Sequence, residues 1–529
     1  MRKILSSLIV LLAVTNLEAQ QQVPKVVVYI TVDQLRGDYI EYFYHTFGER
    51  GFKRLINNGV VYQNIRYDFP DLDQSNTFAT LFTGTNPNFH GISGDKQYDF
   101  DREREISILN DPEYLGNYTR ENYSPKRLIS STIGDELKIA SQGRSDVYSI
   151  APNAENAILS AGHAANGAFW MDDYNGKWAT TTYYKGIPWY VDRYNNGAES
   201  LASRLDKMVW IPSLPISRYN AFPYVLDEIP FRYTYSEKTA NVYLNLKTSP
   251  LINKEVNRLA KQFFEYAAFG SRSCPDMLAI TYYAGNYRHL MHKEYTREIQ
   301  DTYYQLDQDI EELLNVIDRK VGLNNTLIVF TGSGYYRSEE EYSEGLLLGG
   351  GEFFPKRCIA LLNMYLMNIY GQQNNWVEGY YNNQIFLNRK AIENANLDLA
   401  EIQKKSAEFV QEFSGVQHVT TDRALLAGEW NEGTAKFRHG THHIGRGDLI
   451  IELQPGWKVN FENSKGKTKV VRNNAVLTPL IFMGNGLNPK HIYREVKATE
   501  IAPTVTHILR IRPPNAANSL PLFELTMDN

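Results

Sequence analysis

Lys25-Val26-Val27-Val28-Tyr29-Ile30-Thr31-Val32-Asp33 is an almost unbroken apolar, β-branched run that closes on a carboxylate. A strand covered on both faces reads this way, whereas a half-exposed strand alternates apolar with polar residues. Runs of the same kind recur at Asp146 to Ala151, Met277 to Tyr283, Thr326 to Thr331, Cys358 to Leu362, Leu449 to Leu453 and Pro479 to Met483. Between them, apolar residues three or four apart predict helices at Ile133 to Ala140, Glu255 to Ala268, Thr296 to Val321 and Leu399 to Phe413. Strands alternating with long helices predict an α/β fold, a doubly wound and mostly parallel sheet covered on both faces. Such sheets bind ligands at the carboxyl ends of their strands, so chemistry is to be sought just after each run.

Two stretches break the alternation. Residues 164–254 are rich in Tyr, Trp, Asn, Gly and Pro, and residues 336–445 combine Gly349-Gly350-Gly351 with a Tyr-rich segment and one helix. Both are expected to be capping insertions within a single α/β domain spanning residues 20–529.

The 529 residues carry a formal net charge of −5 and are 43% hydrophobic, which suits a globular core and excludes a disordered chain. A near-neutral balance lacks the basic face that nucleic acid requires. Cys274 and Cys358 are too few for a disulfide framework and are not spaced as a zinc site; one bridge or two buried thiols both stay open. At the start, Arg2 and Lys3 precede an apolar run from Ile4 to Val14, and Leu17-Glu18-Ala19 offers a small residue before a cut at Gln20. This reads as a signal peptide over residues 1–19, too short for the ~20 apolar residues of a spanning helix. An exported protein, periplasmic or secreted and without a membrane span, is the expectation.

Several segments in order resemble the alkaline phosphatase superfamily, in particular exported bacterial phosphatases related to nucleotide pyrophosphatase/phosphodiesterases. They are Val32-Asp33-Gln34-Leu35-Arg36-Gly37-Asp38, Thr83-Gly84-Thr85-Asn86-Pro87 with His90-Gly91-Ile92, Ile158-Leu159-Ser160-Ala161-Gly162-His163 and Gly176-Lys177-Trp178. Glu452-Leu453-Gln454-Pro455-Gly456-Trp457 and Ile501-Ala502-Pro503-Thr504 complete the set. The resemblance implies two zinc ions held by about six Asp and His ligands, and a Thr or Ser nucleophile.

At the positions the resemblance assigns to that chemistry, one expected residue survives, the metal ligand Asp33. Counting back from Thr83-Gly84, the nucleophile position holds Gln74; a one-residue shift would bring Ser75 there, while Ser75 and Thr77 also read as helix-start residues capping backbone N–H groups. A T-D-Y-x-G-H motif is replaced by Thr281-Tyr282-Tyr283-Ala284-Gly285-Asn286, with Tyr282 and Asn286 at ligand positions and His289 and His292 as possible substitutes. T-A-D-H-G has become Thr331-Gly332-Ser333-Gly334-Tyr335, so Ser333 and Gly334 replace two more ligands, and Leu477 falls near the last. In the phosphate clamp, Asn153 and Glu155 stand for a K-x-R pair and Asp95 for an Asn; a carboxylate in place of an Arg fork is expected to repel phosphate.

Other features bear on a replacement chemistry. Asp33, Asp73, Asp95 and Glu155 are expected near one pocket, either as oxygen ligands for Ca²⁺ or Mg²⁺ or paired with bases such as Arg36 and Arg66. His439, His442 and His443 are read as a solvated loop, with a metal site as the alternative. Tyr183, Tyr184, Trp189, Tyr190 and Tyr194 either stack a ligand or fill a core. With most of the reacting groups replaced, the sequence leads us to expect a non-catalytic pseudo-phosphatase. It would serve as a binding or scaffold component of the cell envelope, with a protein partner and no cofactor. The alternatives are an active metal-dependent phosphatase or phosphodiesterase with atypical site residues, and a cation or small-ligand binding module.

Overall fold

The structure is a computed structural model that describes residues 22–99, 104–219, 230–289, 296–336, 350–372, 374–428, 431–443, 445–461, 468–470 and 475–525. The leader read at residues 1–19 lies outside them, as do His292 and the side chain of His289.

Ten strands form the central sheet: Val26–Asp33 (β1), Gly59–Tyr62 (β2), Gly116–Asn117 (β3), Val147–Ala151 (β4), Gly167–Met171 (β5), Trp178–Thr181 (β6), Asp276–Tyr283 (β7), Thr326–Gly332 (β8), Leu480–Gly484 (β9) and Lys490–Ile492 (β10). Their order is β10-β2-β9-β8-β1-β7-β4-β5-β6-β3. The middle five, β8, β1, β7, β4 and β5, are parallel. β9 is antiparallel to β8 and β2, and β6 to β5. The expected doubly wound, mostly parallel architecture is therefore present.

All eight residues of β1 are buried, as its unbroken apolar run requires. Its side chains divide with period two. Val26, Val28, Ile30 and Val32 enter a layer with Leu259 and Phe263 of Leu251–Tyr266 (α4) and with Leu306 and Ile310 of Thr296–Lys320 (α5). Val27 and Tyr29 enter the opposite layer, with Phe78 of Gln74–Thr83 (α1), Ile133 of Ile133–Ala140 (α2) and Ile158 of Ala154–Ala161 (α3).

The two stretches that break the alternation differ. Residues 164–254 supply β5 and β6 to the main sheet before leaving it. Within residues 336–445, the strands Val377–Tyr381, Gln384–Leu387 and Val416–Thr421 join Leu449–Leu453 in a separate four-stranded sheet. Cys358 to Leu362, expected as a strand, lies in the helix Pro355–Tyr370. Pro355 occupies its first turn, where no N–H is missed. Cys358, Leu362 and Leu366, four apart, form its buried stripe. Cys274 and Cys358 are both free thiols, and burial pushes Cys358 up to about 12.

Candidate active site at the strand ends

Helix α1 begins at the carboxyl edge of the sheet, and its start is heavily braced. Asp73 Oδ1 accepts from the backbone N–H of Ser75 and of Asn76, both at 2.9 Å. The Asn76 side chain returns a bond from Asp73 N, completing a capping box. Asp73 Oδ2 accepts from Asp95 N at 3.0 Å, and Asp95 Oδ1 accepts from Ser75 N at 3.2 Å. Burial, reinforced by Asp95, pushes the Asp73 carboxyl up against the lowering effect of those N–H donors. The cap is thus Asp73, which corrects the expectation that Ser75 and Thr77 hydroxyls supply it. Thr77 donates back to Asp73 O at 2.6 Å, and Ser75 Oγ is buried with no hydrogen-bond partner.

Gln74, the first residue of α1, accepts at Oε1 from Asn153 Nδ2 at 3.4 Å. The two positions that the resemblance gives to nucleophile and phosphate clamp therefore touch. At the other end of α1, Gly84 is left-handed at φ 67°, and a Cβ there would lie 2.7 Å from Pro503 Cδ. His90 locks the same helix from behind. Its Nδ1 accepts from Ile92 N and its Nε2 bonds Thr80 Oγ1, and burial followed by the charge of His442 lowers it to about 3.

The ends of β1, β7 and β8 meet beside α1. Asp33 is 2% exposed and its carbonyl accepts from Ala284 N. Ser333 Oγ is committed to Gln34 N at 2.9 Å. Tyr282 turns away into the α4–α5 layer, fully buried, its hydroxyl donating to Asn257 Oδ1. Tyr283 OH donates to Asn286 O at 2.7 Å, and Asn286 Nδ2 is buried without a partner. Gly334 sits at φ 86°, where an added Cβ would lie 2.1 Å from Tyr67 Cε2. The Tyr67 ring thus fills the space a side chain at that position would take. Leu477 is 52% exposed, and its carbonyl accepts from Gly37 N. The paired zinc ions that the resemblance implies do not fit this donor set: one carboxylate, one amide, one hydroxyl already in use, a phenol aimed elsewhere and two positions with no donor.

Among the described residues no group of three or more His, Cys, Asp or Glu converges to hold a metal. The four carboxylates do not form such a group: Asp73 and Asp95 pack together at the start of α1, their oxygens taken by backbone N–H groups. Arg36 and Arg66 do not pair with them either. Arg36 binds Asp38, and Arg66 binds Asp68 and Glu495. His439 ends the helix Glu432–Gly440 rather than lying in a loop, and its Nδ1 contacts Asp68 O. The rings of His442 and His443 lie against each other, tilted by 46° with centroids 4.2 Å apart. Of the five aromatic residues weighed for ligand stacking, Tyr184 and Tyr190 are buried, Tyr183 bonds His163 O and Tyr194 bonds Glu255, leaving Trp189 exposed.

Beyond Asn153 a cleft of about 90 Å³ opens at the ends of β4 and β5, lined by Glu121, Tyr123, Glu155, Trp170, Asp173 and Lys247 among others. Burial, with a further contribution from Asp95, pushes the Glu155 carboxyl up to about 7. On the acid side of neutrality it therefore holds its proton and can donate a hydrogen bond, which corrects its expected role as a fixed repelling charge. Lys247, 5% exposed, forms an ion pair with Asp173. Glu121, Asp173 and Lys247 escaped the sequence reading, although Asp172-Asp173 directly follows β5, where the strand-end rule points.

The family model for type I phosphodiesterase / nucleotide pyrophosphatase matches residues 27–475. The chain is 28% identical to alkaline phosphatase PafA of Elizabethkingia meningoseptica over 95% of its own length and 94% of that protein's. It is also 28% identical to alkaline phosphatase PhoV of Synechococcus elongatus, over 93% and 91%. The crystal structure of wild-type PafA superposes with a TM-score of 0.81 at 26% identity, covering 95% of this chain and 99% of that one. These findings overturn the expectation of a non-catalytic scaffold, because the proteins matched along nearly their whole length are named as alkaline phosphatases.

Proposed function

The chain belongs to the type I phosphodiesterase / nucleotide pyrophosphatase family, and from that premise we propose that it is an exported phosphatase or phosphodiesterase with atypical site residues. It would hydrolyse phosphate esters where β1, β7 and β8 end beside α1. The observation that carries this reading is the 28% identity to an alkaline phosphatase over 95% of the chain. Export rests on the leader read at residues 1–19.

When bound, the metal ions of such enzymes supply Lewis acidity and an activated oxygen nucleophile. The residues here do not fit that pair, so the roles assigned are those of the chain's own groups. An amide cannot attack phosphorus, and Gln74 is therefore given the part of a donor to a phosphate oxygen, with water as nucleophile. Asp33 is the carboxylate assigned to take the proton from that water. Glu155, protonated on the acid side of about 7, is assigned to donate to the departing oxygen. Two carboxyl groups with different environments thus divide base and acid work.

The test is turnover of 4-nitrophenyl phosphate and bis(4-nitrophenyl) phosphate by the purified mature chain, with and without added divalent metal. Turnover that Asp33→Asn lowers by ~100-fold or more, the usual worth of a positioned acid or base, is the expected result. A rate equal to the blank, or one that Asp33→Asn leaves unchanged, overturns the proposal.

A further inference from the structure

Gln34, the residue after Asp33, is left-handed at φ 59° and only 2% exposed. Glutamine is an unusual choice there, since its Cβ crowds the backbone and it lacks the short polar side chain with which Asn or Asp offsets the cost. Asn382 and Asn383 take the same conformation in the two-residue turn between Tyr381 and Gln384, where asparagine is the ordinary solution. Strain of this kind persists only where the surroundings impose it. At Gln34 a residue just past β8 does so. Ser333 N donates to Val32 O at 3.0 Å, carrying the β1–β8 ladder one residue beyond the strand, and Ser333 Oγ accepts from Gln34 N at 2.9 Å. One fully buried serine thus grips the backbone on both sides of Asp33. From the other flank, just past β7, Ala284 N donates to Asp33 O at 3.0 Å. Gly285 leaves room for the Gln34 side chain: a Cβ there would lie 2.8 Å from Gln34 Oε1.

We infer that Ser333 is a positioning residue for Asp33: through Val32 O and Gln34 N it fixes the turn that carries the Asp33 carboxylate. The inference rests on the reading of Asp33 as the base in ester hydrolysis. Ser333 acts through the backbone and not as a nucleophile, because its oxygen is engaged by Gln34 N. Its effect is local. The chain beyond Gln34 is held by other groups, Arg36 N donating to Tyr303 OH at 2.7 Å and Gly37 N to Leu477 O at 2.6 Å. Loss of the Ser333 hydroxyl therefore lets Gln34 relax toward an ordinary φ and turns Asp33 out of place, while the rest of the turn stays anchored. Misplacing a reacting group by about 1 Å can lower a rate ~100-fold, so a small rotation at Asp33 is enough to be read in turnover.

The experiment measures turnover of 4-nitrophenyl phosphate by the full mature chain and three variants, with rates referred to folded protein by circular dichroism. Ser333→Ala should lower kcat about tenfold or more while KM stays within about twofold. Adding Gln34→Gly to Ser333→Ala should recover roughly threefold or more, because glycine holds the left-handed turn without strain. Thr326→Val is the control: it removes a hydroxyl bond to Gly322 O at the opposite end of β8 and should leave kcat within about twofold. A second readout needs no activity. Amide hydrogen exchange at Gln34 should run about tenfold or more faster in Ser333→Ala than in the wild type. Unchanged kcat in Ser333→Ala, an equal loss in Thr326→Val, no recovery with Gln34→Gly, or unchanged exchange at Gln34 overturns the inference. If the wild type turns over no ester, the ester reading falls and the catalytic part of Ser333 falls with it, while the exchange rates show separately whether the grip on Gln34 exists.

Discussion

The start of α1 and the ends of β7 and β8 lie side by side at one edge of the sheet, yet they keep their shape by different means. At α1, polar groups hold the helix start: Asp73 and Asn76 close the capping box, and His90 braces Thr80. At β7 and β8, the positions that face chemistry in the resembling enzymes are filled by packing. Tyr282 is sunk among helices, and Gly334 lies under the Tyr67 ring. Residues that satisfy buried N–H and C=O groups cannot change without cost to the fold, whereas reacting residues are free to change if their replacements pack.

This contrast breaks if the β7 end tolerates a ligand-type residue. Tyr282→Asp removes a fully buried ring and places a charge among helices, so a loss of about 3–5 kcal/mol or more is expected in denaturant unfolding. Tyr282→Phe, which loses only the bond to Asn257, should cost about 1 kcal/mol. Equal stabilities for the two would mean that water or a cation reaches this position.

The α1 side is probed by pH. His90 stays neutral in the folded chain down to about 3, while an unfolded histidine takes up a proton below about 6.5. The unfolded state then binds more protons, so stability must fall as pH drops from about 6.5 toward 3, by about 2 kcal/mol at pH 5. His90→Gln should flatten that slope whatever it does to the absolute stability. An unchanged slope would place the acid sensitivity elsewhere.

A smaller effect sharpens the β8 side. Gly334→Ala meets both a positive φ and the Tyr67 ring, and should lower stability by about 1–3 kcal/mol. Pairing it with Tyr67→Ala should recover part of that loss; purely additive losses would show that the ring is not what excludes the side chain.

How far the sequence could be read follows the same division. The unbroken run at β1 announces a strand buried on both faces, and the sheet's parallel order follows from the long helical patterns between such runs. Cys358 to Leu362 misled, since a short apolar run has no period that separates strand from buried helix. At the site, Gln74, Asn153 and Glu155 can be placed by counting from neighbouring motifs, but the state of Glu155 cannot. Its proton depends on burial by a wall brought from distant segments, including Lys247 and residues 119–123. Asp173 and Lys247 likewise acquire meaning only when β5 and the residues before α4 come together.

The central claim is that the chain turns over phosphate esters with its own carboxyl groups as acid and base. Its most direct test is the pH profile of kcat/KM for an aryl phosphate, measured for the wild type and Glu155→Gln. If the Glu155 proton is donated, the wild-type value should fall about tenfold per pH unit above about 7. Glu155→Gln should lose that descending limb and run roughly 100-fold slower at pH 6. Identical profiles in the two proteins, or a wild-type rate that climbs through pH 9, would contradict the account.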